Sequence, residues 1–309
     1  MVVDFGRFAS IGRNSRGHYV HVGADGLSCK IVPGPQAETE IPMREIDSGE
    51  TLYIRDADSR EIVEEINARY RKLPLWPLGV IAGIVLYPWI SLYSLLAAAP
   101  LVMLLALADR KRKTTVIVYE FDASAREKFH AFCDAFEELM RADRKWHVAA
   151  SGHVGEKERK YHAGAELVVR RTPIRIGYSL PKYVRTNVTV PCVPVGRQRL
   201  YFFPDRVLIA ENRKAGAVSY GKLTLERANV EYIEEEAVPK DTRVVGHTWK
   251  YVKKDGEPDK RFKNNRQLPV CLYAELWFRS DTGLHEKILV SAPDAGTRLM
   301  DVMEGMTRP

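Results

Sequence analysis

LPLWPLGVIAGIVLYPWISLYSLLAAAPLVMLLALA, residues Leu73 to Ala108, runs for 36 residues without one charge. As a single helix it would extend about 54 Å at 1.5 Å per residue, well beyond the ~30 Å hydrocarbon core of a bilayer. Two shorter passes fit better, and the flanks agree. Arg69, Arg71 and Lys72 precede the run; Arg110, Lys111, Arg112 and Lys113 follow it. Short basic flanks stay on the cytoplasmic side, so two of them predict an even number of crossings. Tyr87, Trp89 and Tyr93 then mark the far interface, Trp76 the near one, and Pro88 the turn. Gly79 and Gly83, spaced as GxxxG, are the predicted contact between the two arms. Pro74 and Pro77 suit the first turn of the entering helix, and Pro100 predicts a kink in the second. The first arm, Leu75 to Tyr87, would reach only about 20 Å, which keeps three alternatives open. They are a re-entrant arm, one span plus an interfacial segment, and a hairpin buried in a protein core.

The rest of the chain bounds the function classes. With 309 residues, 45% apolar and 28% charged, it is long enough for two or three compact units. The net charge of +7 favours anionic partners, although such a surplus is often only a solvated surface. Cys29, Cys133, Cys192 and Cys271 are scattered without a CxxC pair, which reads as reduced thiols and neither a disulfide framework nor a zinc ribbon. The first residues, MVVDFGRFASIGRNSRG, lack the apolar core of a secretory signal, so the N-terminus is expected to stay inside.

Periodicity divides the chain into 1–72, 73–108, 109–188 and 189–309. In the first part HYVHVGADGLSCKIV reads as two strands joined at Ala24, Asp25 and Gly26, and TLYIRD as a third. Asp58 with Glu61 has the capping-box spacing, opening a helix with Ile62, Val63, Ile66 and Tyr70 on one face. In the third part TTVIVYEFD reads as a strand, and Ser124 with Glu127 as the start of a helix carrying Phe129, Phe132, Phe136 and Leu139 on one stripe. That stripe is read as core. Strands follow around WHVAASGHV and LVVRRTPIRIGY. From Arg199 seven strands come in close succession, the sixth with Val270, Leu272, Ala274, Leu276 and Phe278 alternating onto one face. A last helix carries Leu299, Val302, Met303 and Met306.

Seven strands and one closing helix, together with the stretch GRQRLYFFPDRVLIAENRKAGAVSYGKL, resemble bacterial PH and GRAM-like domains over about the last 120 residues. The resemblance implies an antiparallel barrel that docks lipids, peptides or partner domains, and no active site. The basic loop that such lipid-binding domains carry between their first two strands is replaced here by Pro204 and Asp205. Basic residues lie instead in KYVKKDGEPDKRFKNNRQ, where Lys253, Lys254, Lys260, Arg261, Lys263 and Arg266 are the candidates for anionic headgroups. A solvated loop set against Asp255, Glu257 and Asp259 is the plain alternative. Nucleic-acid phosphates are a second anionic ligand for this loop, ranked below lipid.

No catalytic constellation stands out: GxSxG, Walker and kinase patterns are missing, and GHVGEKERKYHAG lacks the GK[ST] ending of a phosphate loop. His147, His153 and His162 are the nearest thing to a ligand set, without a cysteine or HExxH to support a metal. No cofactor is implied. Glu234, Glu235 and Glu236 form the one dense acidic run, either a solvated strand end or a face for the basic loop.

The sequence therefore predicts an α+β membrane protein. It would have a small β-rich N-terminal unit, a transmembrane helical hairpin, a cytoplasmic α+β unit and a C-terminal PH-like barrel with a capping helix. It would sit in the inner membrane of a bacterial cell as a multi-pass protein with both termini cytoplasmic. The expected role is a non-enzymatic scaffold that meets membrane lipids and a protein partner or its own copies. The alternatives are a membrane-perturbing stress or phage-defence effector, and an enzyme with an unrecognised site.

Overall fold

The computed structural model describes residues 8–11, 20–23, 30–33, 41–57, 59–90, 92–156 and 158–307; for 8–11, 20–23, 30–33, 86–97 and 307 it describes the backbone alone. In chain order the strands are β1 (Phe8–Ile11), β2 (Val20–Gly23), β3 (Lys30–Pro33), β4 (Arg44–Glu45), β5 (Thr115–Ile117), β6 (Lys145–His153), β7 (Leu167–Pro173), β8 (Gly177–Tyr178), β9 (Val184–Thr186), β10 (Pro191–Val195), β11 (Gln198–Phe202), β12 (Arg206–Glu211), β13 (Lys214–Ser219), β14 (Leu223–Ile233), β15 (Arg243–Trp249), β16 (Gln267–Ser280) and β17 (His285–Val290). The helices are α1 (Arg60–Arg71), α2 (Trp76–Ile90), α3 (Leu92–Lys113), α4 (Ala123–Arg141) and α5 (Thr297–Thr307).

Two sheets carry the fold. β13, β12, β11, β10 and β8 lie side by side in that order, all antiparallel. The larger sheet runs β14, β3, β7, β6, β17, β16, β15, with β4 beside β6. Its hub is β16, which pairs with β14 along one edge and with β15 and then β17 along the other. Because β14 also meets β3 in parallel, the sheet curls round towards itself. Two small pairs, β1 with β2 and β5 with β9, stand apart.

Alternation along β16 places its side chains. Ala274, Leu276 and Phe278 enter the main core, while Cys271 and Tyr273 point to the inner face of the curled sheet. The main core lies between the two sheets and is closed by the aromatic stripe of α4 and by Leu299 and Met303 of α5. Phe132, Phe136 and Phe202 are fully buried there. On the other face of the five-stranded sheet, Val63, Ile66 and Tyr70 of α1 pack on Tyr201, Leu208 and Ala217. Asn67 ties the same helix to β13, donating to Ala215 O at 2.8 Å and accepting from Ala215 N at 2.9 Å. This fixes the direction in which the chain leaves for α2.

Several local expectations shift by a residue or an element. TLYIRD is a turn and a bridge, not a strand: Ile54 O accepts from Ala217 N, and Asp56 N donates to Ala217 O. The turn lies so close that a Cβ on Gly216 would sit 2.3 Å from the carbonyl oxygens of Thr51 and Ile54, which is why glycine stands there. β2 pairs with β1 and β3 with β7 and β14, so HYVHVGADGLSCKIV is not a hairpin. Asp58, half of the expected capping box, lies outside the described residues. The N-cap of α4 is Asp122, whose Oδ1 accepts from Ala125 N at 2.7 Å, rather than Ser124.

Two larger expectations are overturned. The first is the membrane-spanning hairpin. The turn between α2 and α3 leaves α2 with 15 residues, about 22 Å against the ~30 Å required. The apolar part of α3 ends at Ala108, before Asp109 and four basic residues. Among the described residues no helix is long and apolar enough to cross a membrane, so the transmembrane, multi-pass inner-membrane placement with both termini cytoplasmic is not supported. The second is the PH-like barrel. The strands after residue 189 do not close on one another: β10 to β13 belong to the five-stranded sheet, whereas β14 to β17 join β3, β6 and β7 from earlier in the chain. The fold is mostly sheet, in two layers around a shared core.

Candidate functional site

The feature that the fold leaves uncovered is the helical hairpin α2–α3. α2, and α3 as far as Ala108, are apolar on every side in sequence, a pattern found where a helix is wholly surrounded by apolar neighbours. Among the described residues their apolar lengths pack mainly on each other, with α1 meeting only the base of α3. Gly79 lies against Val102 and Gly83 against Ala98; a Cβ on either glycine would come within 2.8 Å and 2.7 Å of those side chains. The outer surfaces remain bare: Leu78, Ile81, Ile84, Val85, Met103 and Leu104 are each more than half exposed. Burying one such side chain fully is worth about 1.5–3 kcal/mol, so this surface has a strong tendency to find a cover.

The base of the hairpin is built from charge. Asp109, buried at the end of the apolar run in α3, accepts hydrogen bonds from the backbone amides of Leu75 and Trp76 at the start of α2, the latter at 3.1 Å. A carboxylate at a helix N-terminus satisfies free amides and meets the positive end of the helix dipole. Arg112 approaches the same carboxylate at 3.6 Å, Lys72 Nζ donates to Arg112 O at 3.2 Å, and Arg69 donates to Thr114 O. Tyr70 O–H donates to Lys182 O at 2.7 Å, joining this base to the sheet layer. Around it Arg71, Lys72, Arg110, Lys111 and Arg112 are exposed and form a basic collar. Trp76 is 47% exposed beside the collar; the side chains of Tyr87, Trp89 and Tyr93 lie outside the described residues.

The basic loop between β15 and β16 is a second exposed charged surface. Lys253, Lys254, Lys260, Arg261, Lys263 and Arg266 are all exposed. Arg261 is held by the buried Asp259, and Arg266 reaches Glu235 at 4.0 Å. Asn265 clamps the loop by donating to Tyr251 O at 2.7 Å and accepting from Tyr251 N at 2.9 Å. Hydrogen bonds from the Arg261 side chain hold the Asp259 carboxyl at about 2. Its unfolded value is about 3.9. The resulting stabilisation is therefore complete above about pH 4 and is lost as the pH falls through about 2. A carboxyl NMR titration should find the Asp259 midpoint near 2 in the native chain, moving up towards about 3.9 in Arg261→Ala.

The acidic run does not act as a unit. Glu234 is fully buried, paired with Arg171 at 2.9 Å and accepting from Tyr273 O–H at 2.7 Å; Glu236 meets Arg144 at 3.3 Å on the surface. His147 is committed to Glu286 at 2.8 Å, and Ser48 Oγ donates to the same carboxylate at 2.6 Å. Among the described residues no three metal-ligating side chains gather. Burial lowers the His162 pKa. Nothing in the spacing of Arg171 or Glu286 announces these networks; the available hint is that Tyr232 and Glu234, two apart in sequence, fall on one side of their segment. Comparison with family models, with curated proteins and with solved structures gives no match.

Proposed function

We propose that this chain is a binding protein that docks on anionic lipid surfaces through the α2–α3 hairpin. The observation that carries the reading is the combination of an uncovered apolar hairpin and a collar of five exposed cations at its base. An apolar body ringed by positive charge is complementary to hydrocarbon bordered by phosphate headgroups, each basic side chain near such a surface contributing about 1 kcal/mol. A 15-residue arm reaches about 22 Å, past the middle of a ~30 Å core and short of its far side, so the hairpin enters and returns. The capped base, with Asp109 on the start of α2, holds the two arms together as they enter. The packing of α1 on the five-stranded sheet then carries the two-sheet body on the surface.

Flotation with vesicles tests this. The full chain should float with phosphatidylglycerol-containing vesicles and far less with pure phosphatidylcholine. The double variant Ile81→Glu/Ile84→Glu should lose at least tenfold in partitioning, and Lys111→Ala alone about fivefold, the equivalent of ~1 kcal/mol. A chain that forms stable oligomers in plain buffer and ignores anionic vesicles would assign the apolar surface to other copies and overturn the proposal.

A further inference from the structure

We infer that the loop between β15 and β16, together with the short turn Arg159–Tyr161, is a platform for single-stranded nucleic acid. The two segments lie some ninety positions apart and are stitched into one surface by backbone hydrogen bonds, Val252 N to Lys160 O and Ala163 N to Lys250 O, each at 3.2 Å. Thr248 Oγ1 adds a third, donating to Ala163 O at 2.8 Å. At the join Tyr251 and Phe262 stack with ring centres 4.1 Å apart, and Tyr161 stands edge-on to Phe262 at 6.1 Å. Tyr161 is the exposed member, at 43%. Lys160 lies 4.6 Å from its ring centre and Lys250 5.8 Å from that of Tyr251.

Charge completes the surface. Lys160 and Lys250 lie beside these rings, and Lys253, Lys254, Lys260 and Lys263 are exposed along the same loop with Asp255 and Glu257 between them; among the described residues none of the six lysines forms an ion pair with a carboxylate. Of the three acidic residues in the loop, Asp259 is buried and spent on Arg261, and Asp255, which accepts from the Glu257 amide at 3.1 Å, and Glu257 are exposed against the lysine surplus. Asn265 and Asp259 fix the loop backbone, so the lysines and rings keep a set spacing before any ligand arrives. A lipid surface needs only the charge. Cations interleaved with a pre-set, partly open aromatic ring suit a chain of phosphates whose unpaired bases can stack. A duplex is the poorer partner, since its bases are already stacked and the platform offers a turn and a loop, not an element that fills a groove.

The probe is a fluorescently labelled oligothymidylate of about 12 nucleotides, read by anisotropy with the full chain at several salt concentrations. Binding should weaken linearly in log–log salt dependence, and Lys253→Ala/Lys254→Ala/Lys263→Ala should reduce the slope by about 2, at ~0.7 per phosphate contact. Tyr161→Ala should weaken binding about fivefold or more, with Tyr161→Phe close to the parent. All of these residues are partly or fully exposed, and unchanged melting checks that the fold is kept. The inference fails if the oligonucleotide does not bind. It also fails if heparin binds equally with Tyr161→Ala without effect, or if the lysine variants leave the slope unchanged. Loss of vesicle flotation in the loop variants, with oligonucleotide binding intact, would reassign the loop to lipid. The Ile81→Glu/Ile84→Glu chain should keep oligonucleotide binding, so failure of the hairpin reading and failure of this one are told apart.

Discussion

Arg171→Leu should lower stability by about 3–5 kcal/mol, seen as a fall in the urea midpoint at unchanged slope. The guanidinium of Arg171 lies between the rings of Trp146 and Tyr232, 4.2 and 4.3 Å from their centres, and forms two hydrogen bonds to Glu234. Glu234 has no exposure at all, so removing its partner leaves a carboxylate sealed inside the curled sheet with Tyr273 O–H and the Glu236 amide as its remaining donors. Burial, reinforced by the Glu234 charge, pushes the Tyr273 phenol up, which keeps it a donor at every working pH. The second half of the expectation separates pair energy from packing. Arg171→Leu/Glu234→Leu should recover most of the loss, because an apolar pair of similar size avoids the desolvation cost that the ion pair must offset. A double variant as unstable as the single one would show that the rings, not the charge, need the guanidinium.

Phe132→Ala should cost about 3–5 kcal/mol, the range for a large buried side chain whose site cannot collapse. Its ring touches Phe136 and Tyr220 edge-on at 5.1 and 5.7 Å and leans on Phe202 at 6.1 Å, so the α4 stripe, the five-stranded sheet and the turn after β13 lose contacts together. His130→Ala, two residues earlier on the exposed side of the same helix, should stay within about 0.5 kcal/mol of the parent. Equal effects at the two positions would mean that α4 is not seated on the core as described.

These cases mark what was legible in the sequence. The α4 stripe and the alternation of β16 are written in spacings of 3.6 and 2, local patterns that burial enforces and that a reader can count. Which strands become neighbours is not local. Nothing in WHVAASGHV says that His147 lies opposite Ile288, or that β3 inserts between β7 and β14; pairing is chosen by the whole sheet. The apolar run was legible as a hairpin with glycines at its waist and a short first arm, but its total length was weighed above that shortness. One arm stops at 15 residues and the other meets Asp109, a residue whose capping of Leu75 and Trp76 depends on the hairpin having formed. The basic loop was found by its charge, whereas its aromatic centre was invisible, because Tyr161 and Phe262 meet only after the two segments are stitched together.

The central position of β16 has a consequence for how the chain comes into being. Its partners are drawn from both directions, and β6 and β7, made early, wait for β17 to supply the neighbour that links them to it. During synthesis β6 and β7 can pair with each other and with the earlier β4 and β3, but the far edge of β6 stays raw until β17 is made, well over a hundred residues later. Completion of the larger sheet thus waits until β17 has been made, and slow, long-distance closure of this kind is when newborn chains most need a chaperone.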